Sequence, residues 1–306
     1  MTEYGKSTDS GGSDRGILPD DNDRSASNGR VLTTKNIEDY LEWLREQERE
    51  TNTIDKYRRD LKHLYRWADG RQLTKLLVKE WKTGLQPGYQ ASSINSMLAA
   101  VNGFFHWMGW YDLEMKYLKI QKKIFCDKNK ELTRAEYDKL VAMALALGKI
   151  RLAFLLETLC GMGLRVSELQ FITVEAVKKG RADIAMKGKI RTIIFQKSLS
   201  TKLLQYAKDN QIESGEIFIT RSGRSMSRSQ IWREMKWLCE KAGVEKEKVF
   251  PHNLRHLFAR SHYQVHRDLK GLSDLLGHSS VETTSIYLTS SGEECALQME
   301  MLGLVS

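Results

Sequence analysis

The chain has 306 residues, 41% hydrophobic and 28% charged, which is enough for about two domains that each bury a core. Its longest apolar run, Leu140 to Leu147, is far too short to span a bilayer, so no membrane helix is expected. The formal charge of +9 is unevenly spread: the first thirty residues carry −2 and the remainder +11, which makes a polyanion such as nucleic acid the first candidate partner and leaves solvated lysine-rich faces as the plainer alternative.

Residues 1–30 are rich in Gly, Ser and Asp and poor in apolar positions, the composition of a disordered tail. They show no basic start followed by an apolar core, so no secretory signal is expected and the cytoplasm is the expected compartment. From Thr33 the pattern becomes helical. "TTKNIEDYLEWLREQ", "TIDKYRRDLKHLYRWADG", "LLVKEWKTGL" and "SSINSMLAAVNGFFHWMGW" each space apolar residues by three and four, and Gly70 and Gly109 fall near two of the ends. Residues 31–119 therefore read as a compact helical domain, with the stripe Trp43, Leu64 and Trp67 assigned to its core. Residues 120–130 lie in a lysine-rich stretch that loses periodicity after Ile120 and suits a linker running close to a polyanion.

The second domain spans residues 131–306 and opens at "LTRAEYDKLVAMALALG", where Thr133 and Glu136 form a capping box. In "RLAFLLETLCGMGLRVSELQFI" the glycines at 161 and 163 break one helix, and a new one is expected near Arg165. "ADIAM" and "IRTIIF" flank "KGK" as a basic hairpin, and "EIFIT" is a candidate further strand. "SRSQIWREMKWLCEKAG" is a basic helix opened by a Ser227/Gln230 capping box, and the chain closes on an amphipathic segment, "EECALQMEML". The four cysteines, Cys126, Cys160, Cys239 and Cys295, form no CxxC pair and are expected to be reduced structural thiols, with neither a zinc site nor a redox motif.

Three helix starts carry cationic or hydrogen-bonding side chains. In "FPHNLRHLFAR", Pro251 suits a first helical turn and sets His252 and Arg255 on one face, where free N–H groups and the dipole favour an anion. In "GMGLRVSEL", Arg165 opens a helix and Glu168 follows one turn later, where it could hold the guanidinium fork toward a phosphate. In "GHSSVE", Ser279 and Glu282 offer a capping box just after His278. Taken alone, each of the first two patterns is better explained as structural pairing. Together, two Arg, two His and a hairpin Lys are what a metal-free phosphoryl transfer needs: Arg to neutralise the non-bridging oxygens, His to move protons, Lys to protonate a departing oxygen. Tyr287 is the candidate nucleophile.

In order and spacing, "GLRVSEL", "PHNLRHLFA", "LLGHSSVETT" and "IY" resemble the tyrosine recombinases, also called the phage integrase family, and the resemblance runs from residue 33 to residue 303. It implies a mainly α fold with a small β-hairpin: a helical, SAM-like core-binding domain followed by an α+β catalytic domain, in a simple Xer-like arrangement. By the resemblance Arg165 and Arg255 clamp the scissile phosphate, with Glu168 supporting Arg165. His252 acts as general acid/base, His278 bonds a non-bridging oxygen, and Tyr287 attacks to form a 3′-phosphotyrosyl link, with neither ATP nor metal required. Lys187 matches the family's lysine that protonates the leaving oxygen, with Lys189 as the alternative, because "MKGKIRT" is one residue shorter than the usual "GKGxKxR". His256 also fits the pattern and is assigned a structural role.

The resemblance points to Arg58, Arg59 and Lys62, and to Arg228, Arg233 and Lys236, as contacts to double-stranded DNA, against solvated faces as the plainer reading. It further implies a homotetramer on DNA, with the C-terminal helix docking on a neighbouring subunit. A type IB topoisomerase and a non-catalytic DNA-binding protein are the competing classes. "YLTS" in place of "YTH" and the short hairpin shift the expected role from chromosome dimer resolution toward integration, excision or inversion of a mobile or phase-variable element. One geometric problem remains: a straight helix from Ser279 would hold His278 and Tyr287 roughly 13 Å apart, at about 1.5 Å per residue. The β-branched Val281, Thr283, Thr284 and Ile286 therefore predict a helix that ends early, with Tyr287 on a separate, mobile element.

Overall fold

A computed structural model describes residues 29–120, 128–186, 189–278, 280–288, 296 and 299–302. The chain divides into two compact units, Met1–Lys122 and Lys123–Ser306. No helix among the described residues is long and apolar enough to cross a membrane.

The first unit is built from α1 (Thr34–Glu46), α2 (Thr51–Ala68), α3 (Lys75–Leu85) and α4 (Ala91–Trp107). Thr33 and Thr74 start α1 and α3 by accepting backbone N–H groups from Asn36 and Leu77. The three- and four-residue spacing turns Ile37, Tyr40, Leu41 and Leu44 of α1 and Ile54, Leu61 and Leu64 of α2 inward. Tyr40 packs edge-on against Phe104 with ring centroids 5.5 Å apart. The expected core stripe is only partly inside. Leu64 is fully buried and Trp43 packs partly buried on the core, but Trp67 is 39% exposed, lies beneath the Arg71 guanidinium and covers Gly84 at the surface. The buried stripe of α2 runs through Leu61, Leu64 and Ala68, which leaves Trp67 one step around the helix from it.

The second unit begins with α5 (Arg134–Ala146), opened by the Thr133/Glu136 capping box, and α6 (Ile150–Gly161). A 3₁₀ turn (Val166–Phe171) leads to α7 (Val174–Lys179) and an antiparallel pair, β1 (Arg181–Met186) and β2 (Lys189–Ile194), in the register Arg181↔Ile194 to Met186↔Lys189. Then follow α8 (Lys197–Asp209), α9 (Arg228–Ala242) with its Ser227/Gln230 capping box, α10 (Pro251–His266), α11 (Leu269–Leu276) and α12 (Val281–Ser285). The candidate strand "EIFIT" does not join the sheet, which among the described residues has two strands. Ile217 and Phe218 are consecutive and both buried, so the segment lacks the alternation of a strand and makes only isolated bridges, Thr173↔Glu216 and Ile219↔Ser225. Cys160 and Cys239 are buried and free, and burial pushes the Cys160 thiol up to about 12; Cys126 and Cys295 lie outside the described residues. Of "EECALQMEML", Ala296 and residues 299–301 are helical and the others are either the closing turn residue or outside the described set.

The break after α6 depends on Gly163. Its φ is +59°, and a Cβ there would lie 2.5 Å from Phe258 and 3.0 Å from Leu276. Gly163→Ala is therefore expected to cost roughly 1–3 kcal/mol through backbone strain and overpacking. Thermal denaturation checks this, and an unchanged melting temperature would contradict it.

Candidate active site

The break after α6 leaves Arg165 at the entrance to a 3₁₀ turn rather than an α-helix, and Glu168 reaches back to bond it. The Glu168 carboxylate is 2% exposed. One oxygen accepts the Arg165 backbone N–H at 2.8 Å, and the other accepts from the Arg165 guanidinium at 3.1 Å. A second guanidinium, that of Arg191 on β2, also bonds Glu168. Arg165 keeps 43% of its side chain exposed, so the part of its fork not bonded to Glu168 is open to solvent.

Pro251 occupies the first turn of α10, as its missing N–H allows, and places His252, Arg255 and His256 on one helical face. Arg255 is 1% exposed. Its Nη1 donates to the Gly163 carbonyl at 2.7 Å, and its Nη2 donates to the Leu276 carbonyl at 2.6 Å and to His278 Nε2 at 2.8 Å. Its Nε is buried with no hydrogen-bond partner. Burial, together with the Arg165 charge, draws the Arg255 guanidinium down to about 10, while the nearby Tyr287 pushes the other way; it stays a cation at neutral pH. The helix thus donates one buried, fully oriented positive charge to a pocket that already holds Arg165.

Gly277 ends α11 in the left-handed region, and His278 follows. Arginine can only donate, so His278 Nε2 is the unprotonated nitrogen, and Nδ1–H donates to Thr284 Oγ1 at 2.7 Å. Ser279 lies outside the described residues; α12 starts at Val281, with Ser280 at its N-cap and no side-chain cap. The helix runs five residues and gives way to a 3₁₀ turn, Ile286–Leu288, which carries Tyr287. The early break removes the roughly 13 Å separation expected for a straight helix. The Tyr287 ring is 7% exposed and sits 5.4 Å from His278, 5.5 Å from His252 and 4.2 Å from His256, centroid to centroid. The tyrosine is therefore on a separate element, as its β-branched approach predicts, and that element is folded into the pocket.

The three imidazoles are held neutral. Burial lowers His252, and the Arg255 and Arg165 charges add to it. Burial also lowers His256 and His278 to about 4, assisted by the neighbouring His252 and the surrounding Arg side chains. Unfolded imidazoles take up protons near 6.5 and these two near 4, so the unfolded chain binds more protons between those values. Stability is then fully present above about 6.5 and is lost as pH falls toward 4. After allowance for solvent screening, a loss of roughly 1–2 kcal/mol between pH 7 and pH 5 is expected. His256→Phe should flatten this slope in thermal denaturation, and an equal slope in both proteins would count against it.

A buried tyrosine thus sits among neutral imidazoles and close to a buried guanidinium, and the comparisons with known proteins place the chain in a family. Residues 130–294 match the phage integrase family, and residues 37–111 match its N-terminal SAM-like domain. The chain belongs to the phage integrase family. This recombinase is 30% identical to tyrosine recombinase XerD of Proteus mirabilis over 82% of its own length and 87% of that protein. It is 32% identical to tyrosine recombinase XerA of Pyrococcus furiosus over 65% of its length and 70% of that protein. Its fold is shared by a lambda integrase tetramer bound to a Holliday junction (TM-score 0.70, 18% identity, 85% of this chain and 78% of that one). The XerH recombinase in a pre-cleavage complex with its difH substrate is also similar (TM-score 0.64, 19% identity, 88% and 90%). The protein is thus a tyrosine-type site-specific recombinase, an enzyme that breaks and rejoins DNA.

In this recombinase Arg165, Glu168, His252, Arg255, His278 and Tyr287 converge on one pocket. Lys187 lies outside the described residues, and Lys189 is the first residue of β2. Two residues of the site escaped the motif reading: Arg191 and Thr284. Arg191 stands two positions after Lys189 and two before the buried Ile193, so strand alternation alone puts it on the inner face. Thr284 is fully buried beside His278, six residues from it in sequence, and no spacing rule marks it. Of the surface cations, Arg59, Lys62, Arg228 and Arg233 are exposed. Arg58 is tied to Glu38 at 3.0 Å and Asp55 at 3.3 Å, and Lys236 bonds the Lys246 carbonyl and lies over the Trp232 ring.

Proposed function

We propose that the recombinase cleaves one DNA strand at a time by attack of the Tyr287 hydroxyl on the scissile phosphate, forming a 3′-phosphotyrosyl bond and releasing a 5′-hydroxyl. The observation that carries this is the Tyr287 ring lodged among His252, His256 and His278, beside the buried Arg255 that bonds His278. Arg165 and Arg255 neutralise the non-bridging oxygens, where charge grows in the pentavalent transition state. Neutral His252 is ready to take the tyrosine proton as the P–O bond forms. A phosphate oxygen is a stronger acceptor for Arg255 than an imidazole. Its arrival would free His278 Nε2, and the added negative charge would raise the basicity of that ring, so that Nε2 gains a proton and donates to the phosphate. Lys187, or Lys189 in its place, protonates the departing 5′-oxygen. The new phosphodiester conserves the energy of the broken one, so the reaction needs neither ATP nor a metal ion.

The DNA contacts are assigned to Arg58, Arg59 and Lys62 of α2 and to Arg228, Arg233 and Lys236 of α9, with the duplex held by both units. Solved relatives include a dimer on a core site and a tetramer on a Holliday junction, which supports a homotetramer joining two sites here. The favoured role is integration, excision or inversion of a mobile or phase-variable element. The names XerA and XerD among the relatives favour chromosome dimer resolution as the second reading.

The test is to trap the protein on nicked genomic DNA of its own host and sequence the covalent junctions. A recurrent junction at the ends of an element supports the first role, and a single chromosomal site the second. Strand exchange between two duplexes is the expected outcome on the recovered site. Relaxation without exchange would favour a topoisomerase, and no covalent adduct would overturn the reaction itself.

A further inference from the structure

The hairpin arginine missed by the motif reading has more contacts than a surface strand residue needs. Arg191 keeps only 12% of its side chain exposed. Its Nη2 bonds the buried Glu168 carboxylate, and its Nη1 donates to the Leu275 carbonyl at 2.8 Å, next to the Leu276 carbonyl that Arg255 holds. Its aliphatic stem fills the space above Gly277, where a Cβ would lie 2.5 Å from Arg191 Cδ. The residue after that glycine is His278.

We infer that Arg191 is a positioning residue for phosphate binding: it neutralises Glu168, so that Arg165 can hold the same carboxylate and still present a net positive charge to DNA. The inference rests on reading Arg165 as a phosphate ligand. A carboxylate 2% exposed needs a compensating cation. Two guanidiniums share it, one 12% and one 43% exposed. With Arg191 in place the trio carries one positive charge, at its solvent-facing end. Without Arg191 the carboxylate and Arg165 cancel, and Arg165 is drawn back onto Glu168, away from the phosphate.

The experiment uses the full-length protein and a nicked duplex carrying the junction recovered by genomic trapping. The duplex is prepared both with an ordinary scissile phosphate and with an uncharged methylphosphonate at that position. Arg191→Met is expected to slow covalent-complex formation on the phosphate by roughly tenfold to a hundredfold, by analogy with the loss on removing the outer partner of a metal ligand. On the neutral methylphosphonate the loss should shrink to within about threefold, since little charge remains there to neutralise. Using one protein on two substrates cancels any loss of folded material.

Adding Glu168→Gln to Arg191→Met should restore most of the rate, because Gln still accepts from the Arg165 backbone and carries no charge. Arg191→Lys should keep most of it outright. Equal losses on both substrates, or a deeper loss in the double variant, would overturn the inference and leave Arg191 as packing alone. Arg165→Ala is the control for the underlying reading. If it cuts the phosphate normally, Arg165 is not a phosphate ligand; if it fails there and Arg191→Met does not, only the role of Arg191 is wrong.

Discussion

Tyr287→Phe is expected to leave the recombinase folded and able to bind DNA, with covalent attachment abolished. Deleting the nucleophile of a covalent mechanism costs on the order of 10⁶ in rate, so a gel of trapped adducts should show none. The ring itself does structural work, closing the pocket against His252, His256 and His278. Phe preserves that packing and removes only the hydroxyl, a change of no more than about 0.5–1.5 kcal/mol in stability. Tyr287→Ala should differ sharply, because it empties a site that is 7% exposed and costs a further few kcal/mol for the lost aromatic side chain. Adducts persisting in the Phe variant would assign the nucleophile elsewhere.

The two arginines, alike in proposed chemistry, should part company in stability. Arg255→Met removes a cation that holds the Gly163 and Leu276 carbonyls and His278 from a position 1% exposed. Each buried group left without its partner costs about 1–3 kcal/mol, so a total of roughly 2–5 kcal/mol is expected together with a loss of about 10² to 10³ or more in cleavage. Arg165→Met should lose a similar factor in cleavage with little loss of stability, since its side chain is 43% exposed and Glu168 retains Arg191. Chemical denaturation and single-turnover cleavage of both variants would show it. Equal destabilisation would mean that Arg255 is not the joint between α6, α10 and α11 that its bonds describe.

Much of this site was legible because helix starts obey local rules. Pro251 announces a first turn, and the i to i+3 spacing then puts His252 and Arg255 on one face wherever the helix lies. The link from Arg165 to Glu168 is similarly local. The early end of α12 followed from its β-branched run, and the observed break brings Tyr287 to His278. Other features had no local signal. The Arg191 contact with Leu275 and the Arg255 contact with Gly163 join residues 84 and 92 apart in sequence, and no periodicity encodes them. The misplacement of Trp67 in the core and of "EIFIT" in the sheet came from the same source: tertiary packing decides which of several apolar residues turns inward.

The long sequence span of the Arg255 bonds also bears on when the enzyme becomes dangerous. A chain emerging from the ribosome presents Gly163 well before Arg255, and Tyr287 after both. Closing a loop of 92 residues is entropically late, so the guanidinium meets the Gly163 carbonyl only once the surrounding helices have docked. Until then, on the proposed chemistry, Tyr287 lacks the cations that would make it reactive toward a phosphodiester. On that reading a half-made or partly unfolded molecule would meet DNA without an assembled site, and the capacity to cut would arrive only with the finished fold.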